Sequence, residues 1–458
     1  MITITAYFKK IQPPAPDNSG VIIQLTDQTI KERHKKVLKL MEIKGLTSLI
    51  VYADKEHGSN FEYLVGFIPR FEEALLVLNI DGTSTLILGN ENYNKAKFSR
   101  IKVNGKKCSL FSLPNQPMGT QEELDKVLSE VRLNTSGLVG IVGWKLIPGM
   151  KNQFDIPEFI VNSIASLVGR EKLINATDLF IDPRYGARIT NNANEIAHYE
   201  YGASLASDAL LEAMDALEIN KSEMEIGEIL TKHGQYNNVV TITSFGERFV
   251  KGNLYPSNKL LKKGDKVSLT VGYRGGLSSR SGYAVQNLSE LEEVDPGYFS
   301  EVVLPYFNAY HFWLTNIKIG DNAGDFYKKF IEYYPQDKYG WELCPGHLTA
   351  NEEWMSSPFY ENSDAIIQSG MIFQVDFIPS QPNHHGVSAE STVALADKNL
   401  RDEIRQEYPE LWKRIENRRK YLREELNIYL SDEVLPLAST VGYYRPFLLN
   451  KEYALYIK

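Results

Sequence analysis

The chain has 458 residues, 43% hydrophobic and 24% charged, enough apolar material for a large core and more than one domain. Its formal net charge is -8 and it has no long Lys/Arg block, which argues against nucleic acid as a partner. No apolar run approaches ~18 residues, and Cys108 and Cys344 are the two cysteines, so neither a membrane span nor a disulfide framework is expected and a cytoplasmic protein is.

Residues 1–24 form a polar, Pro-containing lead-in. A helical period over 30–44 (Ile30, Val37, Leu38, Met41) stops at Gly45. Short β-rich runs follow at 48–52, 73–80, 84–88 and 138–142, with helical patterns at 121–131 and 156–168. Such alternation predicts an α/β domain over 1–183, closed near Pro183 by a turn-rich segment. The second domain, 184–458, opens on a long helical stretch at 194–217 and a shorter one at 223–233. Strands are predicted near 239–244 and 266–271, then a Gly/Ser-rich turn at 275–281. Helical patterns return at 296–316 and 322–333, so two helix-pair-plus-hairpin blocks follow one another, hinting at internal pseudo-symmetry and an α+β class for this half. A charged amphipathic stretch at 400–425 leads into a Tyr/Leu-rich tail, expected to pack on the surface.

The run GMIFQVDFIPSQPNHHGVSAESTV, residues 370–393, carries the sharpest chemical pattern. Two apolar runs flank a Pro/Asn/Gly turn, as in a hairpin. Side chains alternate along a strand, so Gln374 and Asp376 share one face, and Ser388, Glu390 and Thr392 share one face of the other strand. Two carboxylates facing one cleft require something positive between them: a metal, a cationic substrate, a protonated histidine or a shared proton. Two unrelated solvated acids would fit the same pattern.

Several landmarks then fall in order. They are Arg188-Ile189 with Glu195-Ile196, Glu223-x-Glu225-Ile226, Leu261-x-x-Gly264-Asp265, Gly346-His347, the Gly-Met-hydrophobic-Phe run 370–373, and Gly-Val-x-x-Glu-x-Thr-Val over 386–393. Together they resemble the pita-bread family of creatinase, prolidase, aminopeptidase P and methionine aminopeptidase. The first domain is similar in kind to the creatinase and prolidase N-terminal domain. The resemblance implies a homodimer acting on a small molecule or short peptide.

The family's metallopeptidases hold two divalent metals with two Asp, one His and two Glu, and the ions generate hydroxide near neutral pH. Carried over one position at a time, the first Asp falls on Thr270 and the second, eleven residues on, on Ser281, with Ser279 and Arg280 as neighbours should the turn have shifted. The His falls on His347, the first Glu on Asp376 and the second on Glu390; the catalytic His before the Gly-Asp strand falls on Asn253. Hydroxyls bring no charge, so the resemblance implies that the two-metal site is lost, with no metal and no cofactor expected. Arg280, turned into the cleft, would repel a cation and pair with Glu390.

Creatinase offers the family's precedent: the same fold without metals hydrolyses a C–N bond, with a histidine as acid/base and carboxylates on a cationic group. His347, Asp376 and Glu390 are the corresponding catalytic candidates, and Arg70, Asn253, Thr270, Arg280 and Ser281 the substrate-binding ones. His384 and His385 in the turn could replace the missing base, or be loop histidines; Arg70 could bind a substrate carboxylate, or pair with Glu72 or Glu73. Three outcomes stand: a metal-independent C–N hydrolase, an Xaa-Pro-type hydrolase with one atypical metal on His347, Asp376 and Glu390, and a non-catalytic binding module. The missing aspartates argue against the second and retention of the three site residues against the third, which leaves the first as the expectation.

Overall fold

The computed structural model describes residues 4–149, 151–247 and 255–458. The chain divides into two compact units: Leu25–Ile189, and Thr190–Lys458 together with the lead-in through Gln24. The division falls just beyond Pro183, and the lead-in, expected with the first domain, belongs to the other unit. Hydrogen bonding places it there. The strand Ala6–Lys10 pairs antiparallel with Tyr453–Ile457 near the far end of the chain. The N–H groups of Asp17 and Asn18 donate to the Asp208 carboxylate at 3.1 and 2.8 Å.

In the unit Leu25–Ile189 a six-stranded sheet runs in the order Asn104–Lys107, Ser84–Leu88, Ala74–Asn79, Leu46–Ala53, Leu138–Val142, Leu173–Asn175. The two central strands read LTSLIVYA and ALLVLN and are buried almost throughout, as strands covered on both faces require. Ile50, Val77 and Ile141 share one core with Leu124 and Leu128 of the helix Gln121–Glu130 and with Ile160 and Ile164 of the helix Glu158–Val168.

The other unit begins on the helix Ala193–Asp215, started by a capping box in which the Asn192 side chain accepts from the Glu195 N–H and the Glu195 carboxylate accepts from the Asn192 N–H. Ser222 and Glu225 repeat the device at the helix Glu223–Leu230. Three antiparallel strands follow, with Lys266–Tyr273 between Ile242–Phe245 and Gly276–Tyr283. The long helix lies directly on the turn of this hairpin. A Cβ on Gly202 would sit 1.8 Å from the Arg274 carbonyl, and one on Gly275, at φ +109°, would sit 2.1 Å from the Tyr199 carbonyl. The Gly/Ser-rich segment expected as a turn is therefore mostly strand, and the turn is only Arg274 and Gly275. Its small residues answer crowding instead: a Cβ on Gly276 would meet Thr392 Oγ1 at 2.1 Å, and Ser278 Oγ lies 3.2 Å from Thr440 Oγ1.

The second block repeats the plan. Helices Leu304–Asn316 and Ala323–Tyr333 precede a four-stranded antiparallel sheet ordered His347–Leu348, Ile372–Gln374, Thr392–Leu395, Val434–Pro436. The charged amphipathic stretch is two helices, Lys398–Glu407 and Pro409–Glu424, broken at Pro409. The tail expected at the surface is core: Tyr443, Tyr444, Arg445, Phe447 and Leu448 are all buried. Among the described residues no helix is long and apolar enough to cross a membrane.

Candidate functional site

Strand register builds the site. Ile372 pairs with Ala394 and Gln374 with Thr392; the Val375 N–H donates to the Ser391 carbonyl at 3.2 Å, so the same register sets Asp376 opposite Glu390. On the other side of Glu390, its carbonyl accepts from the Ser279 N–H at 3.2 Å, and the Ser388 carbonyl accepts from the Ser281 N–H at 3.4 Å. Ser279 in turn pairs with Thr270. Directly paired residues of adjacent segments point to one face, so Thr270 and Ser279 on two strands, and Glu390 and Asp376 on the extensions of two more, form one row. Two hydroxyls and two carboxylates stand side by side, the hydroxyls bonded to each other at 2.8 Å.

His347 joins the row from the next strand. It pairs with Gln374, which shares a face with Asp376. Its ring is fully buried and stacks on Trp354 with centroids 4.0 Å apart. Nδ1 lies 3.3 Å from the Leu348 carbonyl, which can only accept, so Nδ1 carries a proton and Nε2 is the atom turned to the site. Nε2 lies 2.9 Å from Oε1 of Glu353 and 3.9 Å from Oδ2 of Asp376. The buried Oδ1 of Asp376 has no hydrogen-bond partner, and Glu353 is the acid that meets the imidazole most closely.

Glu353 is the charged neighbour of His347 that sequence reasoning missed. The segment after His347 doubles back: the Leu348 N–H donates to the Ser356 carbonyl at 2.7 Å and the Met355 N–H to the Leu348 carbonyl at 2.9 Å. The Thr349 hydroxyl closes on the Glu352 carbonyl at 3.1 Å. This tight return lays Glu353 and Trp354 over the ring of His347. The polar turn TANEEW, which starts two residues past a histidine at a strand start, was the available signal.

Burial dominates the electrostatics. It pushes the Asp376 carboxyl up to about 6, helped by the Glu353 charge and opposed by His347. Burial, with the charges of Asp376 and Glu353, holds Glu390 well above the ordinary carboxylate range, against a 3.0 Å hydrogen bond from Gln374 Nε2. For His347 burial works against the charged ring, but Glu353, Asp376 and the Leu348 carbonyl outweigh it and raise its proton affinity. Burial and mutual repulsion thus favour protons on the two acids, while the acids in turn favour a proton on the imidazole.

The other expected residues separate. Arg280 alternates to the opposite face of its strand from Ser279 and Ser281 and is fully buried. Its guanidinium donates to the carbonyls of Tyr443 at 2.8 Å and Glu390 at 3.0 Å and to that of Thr440, so it braces the main chain and makes no pair with the Glu390 carboxylate. Ser281 shares the face of Thr270 but pairs with Ser268, one step along, and Ser279 is the hydroxyl opposite Thr270. Asn253 lies outside the described residues. Arg70 lies in the unit Leu25–Ile189, where Asn92 brackets its main chain: Asn92 Oδ1 accepts from the Arg70 N–H at 3.1 Å and Nδ2 donates to its carbonyl at 2.7 Å. The nearby Glu72 carboxylate accepts from the main chain of Glu91 and Asn92. His384 Nδ1 donates to Asp295 Oδ1 at 2.6 Å while Tyr283 donates to Oδ2 at 2.6 Å, so the turn histidines pin their own loop.

The donor set does not fit a bridged metal pair. Thr270, Ser279 and Ser281 offer hydroxyls without charge at one end of the row, and the Thr270 hydroxyl is already committed to Ser279. Around His347 the donors are denser: one ligand atom each from His347, Glu353 and Glu390 lies within 4.8 Å of the others.

No known family model matches the chain, and no curated protein does. Solved structures match over most of its length. An Xaa-Pro dipeptidase from Bacillus anthracis is 15% identical with a TM-score of 0.60, covering 80% of this chain and 94% of its own. The prolidase from Pyrococcus horikoshii OT3 is 18% identical (TM-score 0.59, 80% and 95% covered), and the X-Pro aminopeptidase from Thermotoga maritima MSB8 is 17% identical (0.60, 80% and 95%). The likeness is one of fold: the chain has the pita-bread architecture of the prolidases and X-Pro aminopeptidases, as its ordered landmarks led us to expect.

Proposed function

We propose that the chain hydrolyses a C–N bond in a small amino-acid derivative, and that it does so without a metal. Support comes from the fold, shared with Xaa-Pro dipeptidases and prolidases. The observation that carries the proposal is the row itself. Asp376 and Glu390 face each other beside His347, while the positions that would bridge two ions hold hydroxyls.

In this mechanism His347 moves the proton. Its Nδ1–H stays on the Leu348 carbonyl, so Nε2 in its neutral form takes a proton from water as the oxygen attacks the substrate carbon. Glu353, 2.9 Å away, stabilises the imidazolium that results. The C–N bond then breaks as the leaving nitrogen takes that proton from Nε2, so water is consumed and an amine released. Asp376 and Glu390 hold the substrate's cationic or donor group, and Thr270, Ser279 and Ser281 offer hydroxyls along the same face. The two free cysteines suit a reducing cytoplasm, and a homodimer is the assembly proposed.

The test is a screen of chelator-treated protein against guanidino acids, amidines, N-acyl amino acids and Xaa-Pro dipeptides. Turnover that survives chelation and disappears in His347→Ala supports the proposal. Turnover that His347→Ala leaves intact removes its central residue.

A further inference from the structure

We propose that His347, Glu353 and Glu390 form a binding site for a single divalent cation, and that the ion competes with catalysis by occupying Nε2 of His347. The second half rests on the metal-free mechanism proposed above; the first half does not.

Three features support the site. The donor atoms of the three residues lie within 4.8 Å of one another. Zinc holds nitrogen and oxygen ligands at about 2.0–2.2 Å, so donors around one ion sit up to about 4 Å apart, and the spread closes with side-chain movement of ~1 Å. Second, Oδ1 of Asp376 is buried and unpartnered, and Nε2 of His347 beside it is fully buried and turned toward the acids, 2.9 Å from Oε1 of Glu353. A buried polar atom without a partner is costly unless something else fills the role, and an ion between Nε2 and the carboxylates would. Third, the ring is already oriented as a ligand: Nδ1–H is fixed on the Leu348 carbonyl and Trp354 holds the plane.

Glu353 makes this a different centre from a bridged pair. It comes from the return segment after Leu348, not from the strands, and leaves the hydroxyl end of the row without a charged ligand. The ion expected is one that accepts an imidazole and two carboxylates, such as Zn2+, Co2+ or Mn2+.

Cobalt titration of chelator-treated full-length protein tests the site. One Co2+ should bind per chain with the absorption of a low-coordinate N/O site. Glu353→Gln, checked for an unchanged melting temperature, should weaken binding by roughly tenfold or more. Absence of stoichiometric binding, or equal affinity in Glu353→Gln, overturns the site. The activity arm separates the two proposals. Inhibition by one equivalent of Zn2+, relieved by chelator and blunted in Glu353→Gln, supports the competing ion. A protein that binds one ion and turns over only when loaded keeps the site and overturns both the competition and the metal-free mechanism.

Discussion

A buried ionisable side chain has few ways to settle its charge, and this chain shows three of them. His347 shares its charge with neighbouring acids, Arg280 spreads its own over main-chain carbonyls, and Asp208 and His385 take the neutral form more readily. Burial pushes Asp208 up to about 6, outweighing the N–H groups of Asn18 and Asp17. A carboxyl with a folded value above its unfolded value of about 4 binds its proton first in the folded chain, so its contribution to stability falls as pH rises through that window. Burial pushes His385 down to about 4. Its contribution is full above the unfolded value of about 6.5 and is lost as pH falls from there toward 4. Each effect is at most about 3 kcal/mol. Asp208→Asn should therefore be better tolerated near neutral pH than in acid, and His385→Gln the reverse. Urea midpoints of both variants at about pH 4.5 and about pH 7 check this; the same sign for both would contradict it. At the site, His347→Ala should lower turnover by about 100-fold or more, the usual size of a lost general acid/base. Of the site's charged groups, Asp376 and Glu390 were legible because strand alternation fixes which residues share a face, and His347 because the Gly346-His347 landmark carried it. Glu353 was not, because its approach depends on how a nine-residue return, from Leu348 to Ser356, closes on itself.

Elements bring these residues together, and their tightest joints are where substitution should cost most. The long helix Ala193–Asp215 can rest on the hairpin turn only because Gly202 lacks a Cβ. Gly202→Ala should destabilise the fold by roughly 1–3 kcal/mol, the range for overpacking, even though alanine favours helix. A stabilised variant would show that the turn yields. Arg280 makes the second joint, between the strand Gly276–Tyr283, the Glu390 segment and the tail. Arg280→Met leaves buried carbonyls unsatisfied and should cost about 3 kcal/mol or more in denaturant unfolding. A neutral result would mean that the guanidinium adds nothing beyond its packing. Alternation and helix period revealed most elements of this unit. The strand Gly276–Tyr283 was hidden because its Gly and Ser residues, chosen for close neighbours, carry the composition of a turn. The tail misled for a related reason: its tyrosines and Arg445 look amphipathic, yet each polar end finds a buried partner.

At the scale of the whole molecule, two compact units coexist, and one of them closes on itself by pairing the lead-in strand with the last strand. Arg418 fastens that closure: buried, it donates to both oxygens of Asp17 at 2.7 Å and to Glu200 at 2.7 Å. The order of landmarks from Arg188 to Val393 made the fold readable, because each marks a strand end or helix start that the architecture needs. The closure was not readable, since nothing local in residues 1–24 names a partner more than four hundred residues away. On this frame an imidazole and a facing pair of acids lie at one end of the row and hydroxyls at the other, and the proposal is that the hydroxyl end holds no ion. Anomalous scattering from crystals grown with excess Mn2+ measures this directly. At most one ion should bind in the cleft, against His347, Glu353 and Glu390, with no peak beside Thr270, Ser279 and Ser281; two ions side by side, one held at those hydroxyls, would contradict the account.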